Sequence, residues 1–315
     1  VERFTQRLEN RQVWTHRQVA ERAARVEMEQ AARIAVFQAD KVRLGAEPIH
    51  RVEQSGAWLR HRYQHIVVDE AQDLNAAHWK MLRAMVPAGP DDLFLVGDTH
   101  QRIYDNVVSL GSLGISIRGR SARLTLSYRT TREILGSALG ILGGETYDDM
   151  DDGRDDLLGY HSVLRGGMPT LRGCTTLDAE LTAVVAQVEQ WQDISLSSIA
   201  VCVPTRDMVT QVAYRLAEHQ IPAVEIGPDG PRGGDGVHVG TMHRFKGLEY
   251  QRMILAGVTD GLVPRSFIRQ YETTDPLRYR RERQKDLSLL FVAATRSRDA
   301  LSIFWHGKPS PFLPV

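Results

Sequence analysis

The chain has 315 residues, of which 42% are hydrophobic and 25% are charged, a composition typical of globular proteins of about two domains. Its 39 basic and 39 acidic side chains give a formal net charge of zero, so no overall positive field points to nucleic acid and any basic surface must be local. No long apolar run and no signal-peptide core occur, and the cysteines Cys174 and Cys202 lack metal-ligand spacing, which together predict a reducing, cytosolic location.

A long amphipathic helix is predicted over residues 2–44. Apolar side chains recur there at spacings of three and four among many Arg and Glu, and neither Pro nor Gly occurs before Gly45. The apolar positions are Val19, Ala23, Val26, Ile34 and Phe37.

Short apolar runs, each followed by polar or helix-like sequence, predict buried strands in the rest of the chain. IVVD (66–69) and LFLVGD (93–98) suit strands covered on both faces, as in a parallel sheet between helices. Six later runs alternate with helices predicted near 177–191, 205–219 and 278–294: TLRGCT, IAVCVPT, PAVEIG, GVHVGT, RMILAGV and ALSIFW. This alternation predicts an α/β fold with right-handed crossovers, and a Gly- and Ser-rich stretch at 111–123 marks a domain boundary.

Two conspicuous stretches favour ordinary structure over a binding site. The acidic run at 145–156 is interpreted as a solvated loop, because a metal site needs ligands that converge and not only a high density of carboxylates. The glycine-rich stretch at 228–236 has no helix pattern after it, so it is interpreted as a surface turn between two strands.

The sequence HIVVDEAQDLN places two carboxylates, Asp69 and Glu70, at the exit of a predicted strand. Ligands of open α/β sheets bind at the carboxyl ends of the strands, and nucleotide hydrolases use such acids to hold Mg²⁺ and to direct water. A second interpretation remains open, in which the acids belong to a strand-exit turn and Asp73 or Asn75 caps the following helix.

Six blocks in order resemble superfamily 1 DNA helicases of the UvrD/Rep type. VVDEAQD and LVGDTHQRIY resemble motifs II and III, and LTLSYRTTREIL resembles motif IV. The stretch 199–227 resembles a strand, helix and strand of the second motor domain, VGTMHRFKGLEYQRMILAGV resembles motif V, and LLFVAATRSRDALSIF resembles motif VI. The resemblance implies RecA-like P-loop NTPase motor domains with parallel sheets, ATP and Mg²⁺ as cofactors, and single-stranded DNA as partner.

For the first motor domain, the resemblance implies three roles. Asp69 would hold Mg²⁺, and Glu70 would polarise the hydrolytic water. Gln101 would sense the γ-phosphate and link it to DNA.

For the second motor domain, the resemblance implies four further roles. Tyr128 would stack on adenine, Arg129 would reach the γ-phosphate, and Glu249 would bind the ribose. Arg296 would be the arginine finger, which suits the physical need for a fixed cation at the transferring phosphoryl group. The alternative for Arg296 is an arginine that only satisfies the end of a helix.

Candidate DNA contacts follow the strand of motif V. Thr241, His243, Arg244 and Lys246 form a mixture suited to phosphates, and Tyr104 stands where the family usually supplies a base-stacking Trp. The sequence RYRRERQK (278–285) either follows a phosphate backbone or is a solvated basic helix face, and the sequence leaves both open.

The largest departure from the family is the absence of the G-x-x-x-x-G-K-[ST] phosphate loop. The chain's one Gly-Lys pair, Gly307-Lys308, precedes Pro309 and cannot begin a phosphate-binding helix. Because the chain also opens on Val1, we expect the C-terminal portion of a longer helicase, whose missing N-terminal part of the motor carries the phosphate loop. The isolated chain is expected to have negligible ATPase activity.

The resemblance also sets the expected organisation. Residues 1–63 would be a helical remnant of an insertion in the first motor domain, 64–118 the C-terminal part of that incomplete domain, and 119–315 a second RecA-like domain without a large accessory subdomain. ATP would bind in the cleft between the domains, and translocation would run 3′ to 5′. A chain that binds DNA or protein without catalysis is the main alternative. A nuclease is disfavoured, because too few residues follow motif VI for a nuclease's acidic and lysine residues.

Overall fold

The computed structural model describes residues 14–44, 60–104, 108–143, 145–148, 150, 153–155, 157 and 159–315. These residues form two compact units. The first contains the described residues of 1–99, 105–121 and 148–153, and the second contains those of 100–104, 122–147 and 154–315. None of the helices in the described ranges is long and apolar enough to cross a lipid bilayer.

The first unit consists of two helices and two short parallel strands. In chain order they are α1 (His16–Leu44), β1 (Ile66–Val68), α2 (Ala76–Met85) and β2 (Leu93–Leu95). Helix α2 begins at Asn75, whose side-chain oxygen accepts hydrogen bonds from the backbone amides of Ala77 and His78. Asn75, and not Asp73, is therefore the cap of this helix.

The prediction of a long N-terminal helix is confirmed for residues 16–44, and residues 2–13 of it lie outside the described residues. Its predicted apolar face is confirmed at Ile34, which is buried, and is wrong at the two valines. Val19 and Val26 are 54% and 57% exposed, whereas Ala20 and Ala24 are buried. The small alanine side chains let α1 lie close to α2, and this close packing selects the buried stripe.

The two strands of the first unit contradict the prediction of burial on both faces. Val67 and Phe94 are paired across β1 and β2, and they are 71% and 65% exposed. Val68 on the opposite face is buried, in a cluster with Ala71 and Trp79. The described residues thus cover one face of this sheet and leave the other apolar face open.

The second unit is built around a seven-stranded sheet. From residue 122 onward the elements are β3 (Leu126–Ser127), α3 (Arg132–Leu142), β4 (Tyr147–Asp148), β5 (Arg154–Asp155), β6 (His161–Ser162), β7 (Thr170–Cys174), α4 (Leu177–Gln190), β8 (Ile199–Val203), α5 (Arg206–Glu218), β9 (Ala223–Gly227), β10 (Gly230–Pro231), β11 (Val237–Thr241), β12 (Tyr250–Leu255), α6 (Tyr271–Thr274), α7 (Pro276–Ala294) and β13 (Ser297–His306). The strand order is β10-β9-β11-β8-β12-β13-β7, and all neighbours are parallel except β10 and β9. The predicted mixed α/β fold with mainly parallel sheets is confirmed.

The central strand β8 shows why this sheet forms. All five of its residues are buried, and they alternate between two apolar cores. Ala200 and Cys202 pack with α3 and α7 on one face, while Ile199, Val201 and Val203 pack with α4 and α5 on the other. Helices on both faces leave no solvated side for this strand, so its residues are uniformly apolar.

Candidate functional site

The carboxylate pair lies at the carboxyl end of β1, where the sequence predicted it. Asp69 is exposed, and its Oδ1 accepts a hydrogen bond of 2.8 Å from the Glu70 amide. Glu70 adopts a left-handed backbone conformation, with φ of 50° and ψ of 41°. A non-glycine residue there costs on the order of 1–3 kcal/mol, and such strain is concentrated at functional sites. The turn therefore holds the two carboxylates in a fixed relation at a local cost in stability.

Gln72 connects this turn to the turn that follows β2. Its side chain is buried, donates a hydrogen bond of 2.5 Å to Glu70 Oε2, and accepts one of 3.0 Å from the Asp98 amide. Gly97 is required beside it, because a Cβ there would lie 2.8 Å from Gln72 Oε1. The sequence alone indicated no role for Gln72. Its position inside the carboxylate motif, two residues after Glu70, was the signal that could have identified it.

The described residues include no group of three His, Cys, Asp or Glu side chains placed to hold a metal ion. Mg²⁺ commonly binds proteins through one or two carboxylates and takes its other ligands from phosphates and water. The exposed carboxylate of Asp69, beside that of Glu70, fits this limited demand.

Gln101 and Arg296 come together in the second unit although they are 195 positions apart in sequence. Arg296 Nη2 donates a hydrogen bond of 2.7 Å to Gln101 Oε1, and Arg296 is only 3% exposed. Its Nε also donates to the carbonyl of Val292, 3.1 Å away near the end of α7. The arginine thus satisfies a helix end, as the alternative interpretation expected, and it is also joined to the predicted phosphate sensor.

Two predicted DNA contacts lie beside this pair. Lys246 Nζ donates a hydrogen bond of 3.3 Å to the Gln101 carbonyl and lies 6.0 Å from the ring centroid of Tyr104. Tyr104 is 47% exposed, so part of its side chain remains accessible. Lys246 therefore has an intramolecular partner that the sequence did not indicate.

Arg129 and Glu249, 120 positions apart, form an ion pair of 3.0 Å. Both side chains are about half exposed, at 48% and 47%, so solvent screens the pair. The neighbouring Tyr128 is 72% exposed and presents an open aromatic ring. Arg129, predicted to reach the γ-phosphate, is thus paired in the structure with Glu249, predicted to bind the ribose.

The motif V residues lie in a short turn of 3-10 helix after β11. Met242 and Phe245 of this turn are buried, and Thr241, His243 and Arg244 keep part or all of their side chains at the surface. Although His243 is exposed as a residue, its imidazole is packed closely enough that desolvation lowers its pKa, and the nearby charge of Arg265 lowers the pKa further. A neutral His243 at neutral pH would offer both a donor and an acceptor.

Comparisons with known proteins identify two family models that match this chain. The model of the UvrD/REP helicase N-terminal domain matches residues 6–106, and that of the UvrD-like helicase C-terminal domain matches residues 231–308. A solved structure of the C-terminal domain of a possible DNA helicase from Lactobacillus plantarum WCFS1 matches with 16% identity and a TM-score of 0.41, covering 60% of this chain and 93% of that one. No match was found among curated proteins.

Proposed function

The chain belongs to the UvrD/Rep-type family of DNA helicases, and from this premise we propose that it forms part of an ATP-dependent DNA helicase or translocase that moves 3′ to 5′. The observation that carries the proposal is the hydrogen bond between Arg296 and Gln101, because it joins the predicted arginine finger to the predicted γ-phosphate sensor. A helix-capping arginine alone would have no need of this partner.

In this proposal, Asp69 binds the Mg²⁺ of Mg²⁺·ATP and Glu70 orients the attacking water. A metal ion that bridges phosphate oxygens neutralises the charge that develops during phosphoryl transfer. Gln72 supports this role, because its hydrogen bond to Glu70 Oε2 limits where the carboxylate can point. The left-handed backbone of Glu70 restricts the same group from the main-chain side.

Arg129 and Arg296 would supply positive charge to the γ-phosphate, Glu249 would bind the ribose, and Tyr128 would stack on adenine. Guanidinium groups suit phosphate oxygens because they can donate two parallel hydrogen bonds. The ion pair between Arg129 and Glu249 is half exposed, so a nucleotide could separate it at a cost of less than about 1 kcal/mol.

Single-stranded DNA would contact the turn after β11 and the aromatic ring beside it. Thr241, His243 and Arg244 would contact phosphates, which positions a strand without reading its bases. Lys246 lies over Tyr104, so these two side chains would meet the same stretch of DNA, with a phosphate at the lysine and a base on the ring.

We further infer that the first unit is an incomplete RecA-like domain, which another polypeptide segment carrying the phosphate loop completes. The open face at Val67 and Phe94 supports this inference, because parallel sheets are ordinarily covered on both faces. The sequence contains no phosphate loop of its own. Backbone amides and a lysine in such a loop would hold the phosphates that Asp69 and Glu70 cannot hold.

The test is ATP hydrolysis with and without single-stranded DNA, by this chain and by a longer form that carries the phosphate loop. Each form is measured beside its Glu70→Gln variant, which keeps the size of the side chain and removes its charge. We expect DNA-stimulated hydrolysis by the longer form only, and its loss in the variant. If neither form hydrolyses ATP while both bind DNA, the chain is a non-catalytic DNA-binding module and the proposal fails.

A further inference from the structure

Three arginines near the start of α7 form an exposed cationic surface. We call Arg278, Arg280 and Arg281 the arginine surface; all three are exposed. None of them forms an ion pair with a carboxylate in the part of the chain that the structure describes. Leu277, on the same side of the helix as Arg280 and Arg281, is 65% exposed. This is the stretch that the sequence left open between a phosphate-binding surface and a solvated helix face.

The position of Arg278, in the first turn of α7, is unfavourable for the helix itself. Helix α7 begins at Asp275, has Pro276 in its first turn, and carries no acidic residue in that turn. The amino-terminal end of a helix is electropositive, so cations there lower its stability. Arg278 and Arg281, three positions apart, also repel each other. Helix stability therefore does not explain the arginines, whereas a negatively charged partner would benefit from them.

Among the residues that the structure describes, the nearby carboxylates do not cancel this charge. Asp275 accepts a hydrogen bond from the Arg278 amide and serves as the helix cap. Glu282 is bound to Arg265, which also binds Asp286. Glu272 on α6 is the remaining exposed acid of the neighbouring helices in the described structure. Three arginines against Glu272 and the cap Asp275 leave a net positive surface.

Stacking holds one of the three arginines in place. The Arg278 guanidinium lies 3.9 Å from the ring centroid of Tyr271 on the adjoining helix α6. A guanidinium held over an aromatic ring loses rotamer freedom in advance and can still donate hydrogen bonds from its edge. This arrangement reduces the entropy that binding would otherwise cost, which is an advantage for a phosphate contact.

The proposed DNA contacts pack against the same helix that carries the arginine surface, near Lys285 and Asp286. The turn that carries His243 and Arg244 packs against α7. Arg265, whose backbone amide and side chain both bind Asp286 of α7, lies near enough to His243 to lower its pKa. A strand that meets this turn can therefore extend along the same side of the second unit.

We propose that Arg278, Arg280 and Arg281 contact the phosphates of a nucleic-acid strand beyond the contacts made by residues 241–246. This inference rests on the proposed DNA-binding function and adds a second contact region to it. Exposed cations on a helix suit the phosphates of a nucleic acid, and phosphate contacts carry no sequence information, so we expect binding that is independent of sequence.

The test compares a double variant, R280Q/R281Q, with a control of equal charge change, R165Q/R172Q. Arg165 and Arg172 are exposed in the second unit, away from α7 in the sequence. The affinity of each protein for a fluorescent oligothymidylate is measured by anisotropy between 50 and 200 mM salt. Circular dichroism and thermal melting check that each variant is folded.

Affinity for single strands falls with salt, and each lost phosphate contact reduces the magnitude of the slope of log affinity against log salt by about 0.7. We therefore expect R280Q/R281Q to reduce that magnitude by about 1.4. The ratio of wild-type to variant affinity should then fall about sevenfold between 50 and 200 mM salt, while the control keeps the wild-type slope. Equal slopes for wild type and R280Q/R281Q would overturn the inference and leave the proposed function intact. If the wild type itself fails to bind DNA, the inference about the arginine surface and the proposed DNA-binding function are both overturned. Loss of binding to phosphatidylserine vesicles without loss of binding to DNA would assign the surface to an anionic membrane, against the inference.

Discussion

Glu180 provides the sharpest test of how the second unit is held together. Its side chain is fully buried at the start of α4, where Oε1 accepts a hydrogen bond from the Gly257 amide and Oε2 accepts one from His306 Nδ1, each 2.5 Å long. These bonds join a helix to the ends of β12 and β13. Glu180→Ala would leave the Gly257 amide unsatisfied and would remove the acceptor of His306.

We expect Glu180→Ala to lower the free energy of unfolding of the second unit by about 3–5 kcal/mol, because two hydrogen bonds to a buried carboxylate are lost and each contributes about 1.5–3 kcal/mol. Glu180→Gln is the matched control. Its amide oxygen can still accept from Gly257 and its NH₂ group can face the other tautomer of His306, so the expected loss is about 1 kcal/mol. Hydrogen exchange of the buried strand β8 reports this unfolding. A loss below about 1 kcal/mol in Glu180→Ala would refute the reasoning.

Three further predictions concern the candidate site and the first unit. Gln101→Leu removes one acceptor of the buried Arg296, the one bonded to Nη2, so we expect a loss of about 1.5–3 kcal/mol in the same exchange measurement, whereas an unchanged value would show that the hydrogen bond contributes nothing. Arg129→Gln breaks only the half-exposed pair with Glu249; we expect less than about 1 kcal/mol by urea unfolding, and a larger loss would contradict the screening argument. Burial alone would raise the pKa of Asp92, but hydrogen bonds from Arg83 and two backbone amides lower it below the ordinary value. Its contribution to stability is therefore present above the unfolded pKa and is lost as the pH falls through the folded pKa, so Asp92→Asn should weaken the acid dependence of unfolding, measured by fluorescence.

The sheet of the second unit could be predicted because its residues carry a complete pattern. The run Ile199–Val203 is uniformly apolar and is bounded by Thr205, which caps the next helix through a hydrogen bond to the Met208 amide. Strand and helix signals therefore agree at each boundary. The predicted helices at 177–191, 205–219 and 278–294 are confirmed to within about two residues at each end.

The exposure of Val67 and Phe94 could not be predicted from the same kind of pattern. An apolar strand indicates that burying its side chains would stabilise the protein, but it does not indicate whether another segment packs on each face of the strand. A similar limit applies to α1, where valines at 19 and 26 were expected inside and are exposed. Which side of a helix is buried depends on the shape of its neighbour, and local sequence does not contain that information.

The sequence indicated which residues to consider for the candidate site, but it did not indicate which of them contact each other. The motifs indicated Gln101, Lys246 and Arg296 separately, but nothing in the sequence indicated that the lysine and the arginine would share Gln101 as a partner. Gln72 lies within a recognised motif, but the sequence did not indicate that it connects two turns. That connection is visible only in its hydrogen bonds with Glu70 and Asp98. Contacts between distant positions depend on the strand order, which motif spacing does not supply.

The two arginines proposed for the γ-phosphate differ in how tightly the protein already holds them. Arg129 is held by a half-exposed carboxylate, so it can be transferred to a phosphate at little cost. Arg296 is buried and donates to Gln101 and Val292, and a phosphate must replace at least the bond to Gln101. A hydrogen bond to a charged group contributes about 1.5–3 kcal/mol, so nucleotide binding should engage Arg129 first and Arg296 only when the phosphate is well placed. In this arrangement Gln101 would restrain the proposed finger in addition to its proposed role as phosphate sensor, because Arg296 Nη2 cannot donate the same hydrogen to Gln101 and to a phosphate at once.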